Sequence, residues 1–275
     1  MNKIAFIQGR LVDLVNHKIQ AFPRDNWEIE MNIASKNNFK YIELTIDLNN
    51  IWENPITSSL GQDYLMEKLR DNSIKPLACT ADFIMHNPPW NGGSNNYNKM
   101  QNVTKEIIKG LGNINCGILV IPFVDASSLR DIENKKAIDF LLSLTEILET
   151  KKVRVAIESD FQPNLLKEFI NNLPKNLFGI NYDIGNSASL GFDHNKEFEA
   201  YFNRIIHIHI KDRMLNGETV PLGEGNADLV GCFKNIKAYG YDGNFSLQTA
   251  RDPSGNHVEA MLRYMEITNT LLKDE

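Results

Sequence analysis

A chain of 275 residues with a formal charge of −6, 42% hydrophobic residues and 23% charged residues has ordinary globular usage and enough length for one large core, so disorder and fibrous architectures are excluded. The excess of acid gives no general attraction for a phosphate backbone, and nucleic acid is not an expected partner. The 3 cysteines lie far apart with no CxxC pair, no stretch nears the ~18 apolar residues of a membrane span, and Gln8 and Arg10 interrupt the N-terminal apolar run before a signal-peptide core forms; a cytoplasmic chain free of membrane contact fits best.

In chain order, short apolar and β-branched runs recur: "IAFIQ" (4–8), "YIELTI" (41–46), "PLACTA" (76–81), "ILVIPF" (118–123), "VRVAIE" (153–158), "FGINYD" (178–183), "IIHIHI" (205–210) and "FSLQ" (245–248). Between them, segments such as "MQNVTKEIIKGLGNI" and "NKKAIDFLLSLTEILE" return an apolar residue every three or four positions, the helical period. Strands alternating with helices imply parallel pairing. Eight such units predict a closed (β/α)8 barrel of the α/β class, a single domain over 1–275, in preference to an open doubly wound sheet. No GxGxxG or GxxxxGK[ST] follows the first strand to support the open sheet. "HNPPWNGGSNNYN" (86–98) reads as a long loop after strand three. It is a candidate lid, with Trp90 placed to cover a sugar, while Trp27 and Trp52 read as packing residues.

The polar residues of a barrel's site gather at the C-terminal ends of its strands. Those ends carry Gln8, Glu43, His86 (just after strand three), Glu158, Asp183, His209 and Gln248. Glu158, Asp183, His209 and Gln248 combine two carboxylates, an imidazole and an amide oxygen, a mixed set suited to a divalent cation such as Mn2+, Mg2+, Co2+ or Zn2+. Each carboxylate alone has a structural alternative, as a helix N-cap or the partner of a lysine. In "HIHIKD" both histidines share one strand face; His209, nearer the end, is the expected ligand and His207 a hydrogen-bonded neighbour.

With "YIELTID", "VAIESD", "YDIGNSASLG", "HIHIKDR", "VPLGEGNADL" and "GYDGNFSLQ" in place, the chain resembles the sugar-phosphate isomerase/epimerase superfamily of xylose isomerase-like TIM barrels over essentially its whole length. Within that superfamily it is most similar to the L-ribulose-5-phosphate (L-xylulose-5-phosphate) 3-epimerases. The resemblance implies a metal held by Glu158, Asp183, His209 and a strand-eight glutamate, with the two glutamates working as acid and base on opposite faces of the substrate. Here the fourth position is Gln248.

A metal-polarised ketose loses its α-proton to give an enediolate, and inversion at that carbon needs proton-transferring groups on both faces. An amide cannot be the second one. Either the reaction uses one face, as in aldose–ketose isomerisation or dehydration, or Glu43 or His86 supplies the opposite proton. Lys211, Arg213 and Arg251 gather cations near one rim, joined by Arg10, and suit a substrate phosphate or carboxylate. Asn186 and Gln8 are further candidate substrate contacts, and Glu224, flanked by glycines, either approaches the substrate or, as the favoured reading, holds the loop 212–226.

The leading function is a metal-dependent isomerase or epimerase of a sugar or sugar phosphate. The alternatives are an inosose-type dehydratase, a non-catalytic sugar-binding barrel suggested by Gln248, and a barrel nuclease, which 6 histidines and a net charge of −6 make a poor fit. Pairing into a homodimer is implied by the resemblance alone.

Overall fold

The computed structural model describes residues 3–129 and 134–273. Eight parallel strands close into a barrel: β1 (Lys3–Ile7), β2 (Tyr41–Thr45), β3 (Lys75–Thr80), β4 (Ile118–Phe123), β5 (Arg154–Ser159), β6 (Phe178–Asp183), β7 (Ile205–Ile210) and β10 (Asn244–Leu247). The β8 (Asp212–Arg213) and β9 (Thr219–Val220) strands form a small antiparallel hairpin after β7. Each apolar run read from the sequence becomes a barrel strand with its ends within one residue of expectation. The periodicity is legible because alternate residues face different apolar environments. Leu119 and Ile121 on β4 and Val155 and Ile157 on β5 join the main core beneath the helices. Val120 and Ala156 meet Ala78 in a separate cluster inside the barrel.

The helices are α1 (Trp27–Lys36), α2 (Ser59–Asp71), α3 (Asp82–His86), α4 (Ser94–Asn113), α5 (Lys135–Leu142), α6 (Thr145–Lys151), α7 (Pro163–Asn171), α8 (Ile184–Ser189), α9 (His194–Tyr201), α10 (Leu229–Ala238) and α11 (His257–Lys273). Their buried faces follow the helical period. On α4, Met100, Val103, Ile107, Ile108 and Leu111 face inward, and on α7 Pro163 presets the first turn while Leu166, Phe169 and Ile170 are buried. The run 134–149 splits into α5 and α6 around Ser143 and Leu144.

Two loop expectations are corrected. The segment 86–98 is not one long loop, because α4 begins at Ser94, and Trp90 is no cover for a sugar. Its ring, 4% exposed, stacks on Phe123 with centroids 4.4 Å apart and donates its N–H to the Ser127 carbonyl at 3.2 Å, which ties the segment into the core. Trp27 is buried as expected. Trp52 is 59% exposed and packs no core.

Candidate active site at the C-terminal end of the barrel

Register explains why three strand-end residues converge. Asp183 on β6 lies opposite His209 on β7, past a register shift between Ile180 and Asn181 that raises both to one level. On β5, Glu158 follows Ile157, the partner of Ile180, and so comes level with Asn181. The Asn181 and Asn186 amides donate to the two Glu158 oxygens at 2.8 and 2.7 Å. Ligand atoms of Glu158, Asp183 and His209 fall within 4.8 Å of one another, and all three residues are buried.

Asp183 serves two ends at once. Its Oδ1 caps α8 by accepting the Asn186 backbone N–H at 2.8 Å, leaving Oδ2 for Lys211 Nζ at 3.2 Å and His209 Nδ1 at 3.8 Å. Burial opposes its ionisation, but the Lys211 ammonium, followed by His209, brings the carboxyl down to about 2.

His209 is held from behind. Its Nε2 lies 3.0 and 3.2 Å from the Glu43 carboxylate, which also receives the His207 Nε2 at 2.8 Å and the Thr80 hydroxyl. Burial works against the charged form of Glu43, yet the two imidazoles, His209 foremost, keep its carboxyl well below the usual range. The other nitrogen, Nδ1, lies 3.2 Å from Glu158 Oε2 but makes no hydrogen bond and is fully buried. A buried imidazole nitrogen facing two carboxylate oxygens, 3.2 Å from Glu158 Oε2 and 3.8 Å from Asp183 Oδ2, makes a mixed N/O set that fits a divalent cation shared by the three side chains. A carboxylate on the far ring nitrogen is the usual companion of a metal-binding histidine. Glu43, His207 and His209 also cluster, but short hydrogen bonds account for that group.

Above the cluster opens a cavity of about 640 Å³, bordered by Arg10, Asp82, His86, Glu158, Asn186, Lys211, Arg213 and Gln248 among others. Lys211 Nζ donates to Asp183 Oδ2, to Asn186 Oδ1 at 3.0 Å and to Gln248 Oε1 at 2.9 Å, so the Gln248 oxygen is engaged by an ammonium. Gly185 in "DIGN" makes room for that lysine, since a Cβ there would sit 2.6 Å from Lys211 Cγ. Arg213 lines the cavity while donating to Asn186 Oδ1 and the Gly217 carbonyl. His86 stands at the exposed rim.

Three of the residues expected to meet substrate or proton do something else. Glu43 is wholly buried beneath the cavity, with its oxygens committed to His207, His209 and Thr80, and cannot reach a substrate. Gln8 is buried with its Oε1 accepting the Thr45 N–H at 3.1 Å, so it knits the ends of β1 and β2 together. Arg251 donates to the carbonyls of Gly9, Val12 and Ile19, leaving its guanidinium no role in a phosphate site. It shares the loop after β1 with Glu30, which accepts the N–H groups of Gly9 and Leu11; together they fix the loop that presents Arg10.

Sequence reasoning overlooked Asp82 and Gln20, which line this cavity, and Asp212. The Asp212 carboxylate gathers the N–H groups of Gly223, Gly225 and Ala227, so it is Asp212 that shapes the loop 212–226, while Glu224 is exposed. A Cβ on Gly225 would meet Asp212 Oδ1 at 2.1 Å, which explains the glycine in "GEGN". The "KD" and "GEGN" spacing was the available signal for this contact.

A model of the family described as xylose isomerase-like TIM barrel matches residues 31–267. The chain is 28% identical over 146 residues to the uncharacterized protein MJ1311 of Methanocaldococcus jannaschii, covering 47% of this chain and 48% of that protein. It is 34% identical over 88 residues to the L-ribulose-5-phosphate 3-epimerase UlaE of Shigella boydii, covering 30% of this chain and 31% of that enzyme. The chain thus spans about half and about a third of the lengths of these two relatives. The fold superposes on the IolI protein, whose structure holds a zinc atom, with a TM-score of 0.77 at 20% identity over 98% of both chains. The chain belongs to the xylose isomerase-like TIM barrel family.

Proposed function

We propose that this protein is a divalent-metal-dependent isomerase or epimerase of a sugar or sugar phosphate that works by abstracting the proton α to a carbonyl. The observation that carries the reading is the convergence of Glu158, Asp183 and His209 Nδ1 beside an open cavity that Glu158 lines. A divalent ion held by these three would supply Lewis acidity toward a substrate carbonyl, and three protein ligands leave coordination positions for substrate oxygens. Asn181 and Asn186 fix the Glu158 carboxylate, which is the base of this reading. Arg10, Lys211 and Arg213 place three cationic donors on the cavity wall, suited to hydroxyl or anionic groups of a substrate.

The test is metal content by mass spectrometry, followed by incubation of the Mn2+-loaded protein in D2O with L-ribulose 5-phosphate, D-fructose and an inosose. Deuterium entering the α-carbon supports the reading; loss of water from the product would move it to a dehydratase. The Gln248 amide supports a second reading, a barrel that binds a sugar without turning it over. That reading gains if metal binds and no compound exchanges.

A further inference from the structure

Apart from Glu158, the carboxylates bordering the cavity are Asp47, Asp82, Asp125 and Asp160. Asp82 differs from the others in being buried, at 6% exposed. It opens α3, where an aspartate commonly caps the helix, but this one caps nothing: Ala81 holds the cap position and no side chain bonds to the free N–H groups. The Asp82 carboxylate instead accepts the Gln20 Nε2 at 2.9 Å.

Gln20 connects Asp82 to the position where the resemblance expects a second glutamate. Its Oε1 accepts from Gln248 Nε2 at 3.2 Å and from Arg10 Nη2 at 3.3 Å, and Gln248 in turn accepts from Lys211 at 2.9 Å. A carboxylate thus stands one side chain away from an amide that cannot exchange protons. Asp82 rises from the β3 wall and Glu158 from the β5 wall, with β4 between them, so the two approach a molecule in the cavity from different directions.

We propose that Asp82 is the second acid–base residue of this pocket, returning a proton to the substrate carbon from which Glu158 has removed one; the assignment rests on the epimerase form of the reading above. The Glu158 carboxylate takes the α-hydrogen as a proton, and the C–H electron pair enters the enediolate. The Asp82 O–H bond then breaks, its proton forms the new C–H bond, and its electron pair stays on the carboxylate. Glu158 ends protonated and Asp82 ionised, and exchange with water restores both.

The surroundings of Asp82 suit this exchange. Burial pushes its carboxyl up to about 7 against the Gln20 N–H, while the charges of Glu158 on β5 and Glu43 on β2 add to the rise and Arg10 on the β1 loop opposes it. A carboxyl near neutrality gives a proton and takes it back with little bias.

The experiment uses the full-length Mn2+-loaded protein in D2O with L-ribulose 5-phosphate and D-fructose as probes, comparing wild type, Asp82→Asn and Asp82→Glu. Asp82→Asn should bind Mn2+ as wild type does and still wash deuterium into the α-carbon through Glu158, while conversion to the product inverted at that carbon falls about a hundred-fold or more. Asp82→Glu, which keeps a carboxyl, should recover conversion to within about ten-fold of wild type with a displaced pH profile. Conversion by folded Asp82→Asn at the wild-type rate overturns the assignment. If Asp82→Asn does not fold, the pH profiles of wild type and Asp82→Glu decide, and identical profiles overturn it. Absence of exchange in the wild type itself brings down the isomerase reading and this assignment with it.

Discussion

The Gln248 Oε1 lies 2.9 Å from Lys211 Nζ, and the same ammonium reaches Asp183 Oδ2 at 3.2 Å. A cation of the protein's own therefore sits between the expected fourth ligand and the three-residue cluster, and a neutral amide does little to draw a metal past it. Gln248→Glu places a second anion beside this ammonium and the proposed ion. Metal affinity should rise about ten-fold or more, read by competition against a chelator of known affinity. An affinity unchanged within about two-fold would show that this position lies outside the coordination sphere.

Glu43 meets no substrate, yet it faces the Nε2 of His209 at 3.0 Å and so fixes which ring nitrogen is left for a metal. Glu43→Gln keeps the side-chain shape but presents an N–H to one of the two histidines. Metal affinity should drop about 10- to 100-fold, with the near-ultraviolet circular dichroism of the folded protein retained. Full metal occupancy in the variant after dialysis against a weak chelator would contradict the supporting role given to Glu43.

The fold was legible because a parallel barrel writes itself as apolar runs at regular intervals, and the inward-facing strand ends were legible because side chains alternate with a period of two. Glu158, Asp183 and His209 could be grouped on that ground, and the structure brings them together. Loop paths have no such period. Arg251 is three residues past Gln248, but the chain turns it toward the carbonyls of Gly9, Val12 and Ile19. Nothing in the sequence around Asp82 marks it, because its partner Gln20 lies 62 residues earlier, on the loop after β1.

Trp90 tests the corrected loop. Its ring stacks on Phe123 at 4.4 Å and meets Phe140 edge-on at 6.1 Å. Trp90→Ala should destabilise the protein by about 3–5 kcal/mol in urea unfolding, the range for a buried aromatic truncated to a methyl. A loss under about 1 kcal/mol would mean that the segment is not held by this ring.

Glu30 supplies a prediction in pH. Burial raises its carboxyl from 4.5 to about 7, although the Leu11 and Gly9 N–H groups and then Arg251 and Arg10 pull the other way. The folded value exceeds the unfolded one, so the folded state holds the extra proton between them. This contribution to stability is complete below about pH 4.5 and is lost as pH rises through 7, on the order of 3 kcal/mol in all. Asp82, raised to about 7 as well, adds a slope of the same sign, so the informative quantity is the difference between wild type and Glu30→Gln. At pH 5, where the Glu30 carboxyl is neutral, the variant should be close to wild type in stability, because the amide oxygen can take the place of Oε1, which accepts from both Gly9 and Leu11. Its unfolding free energy should fall less steeply than that of wild type between pH 5 and 8. Parallel curves would mean that Glu30 is already ionised at pH 5, with the loop N–H groups and neighbouring arginines outweighing its burial.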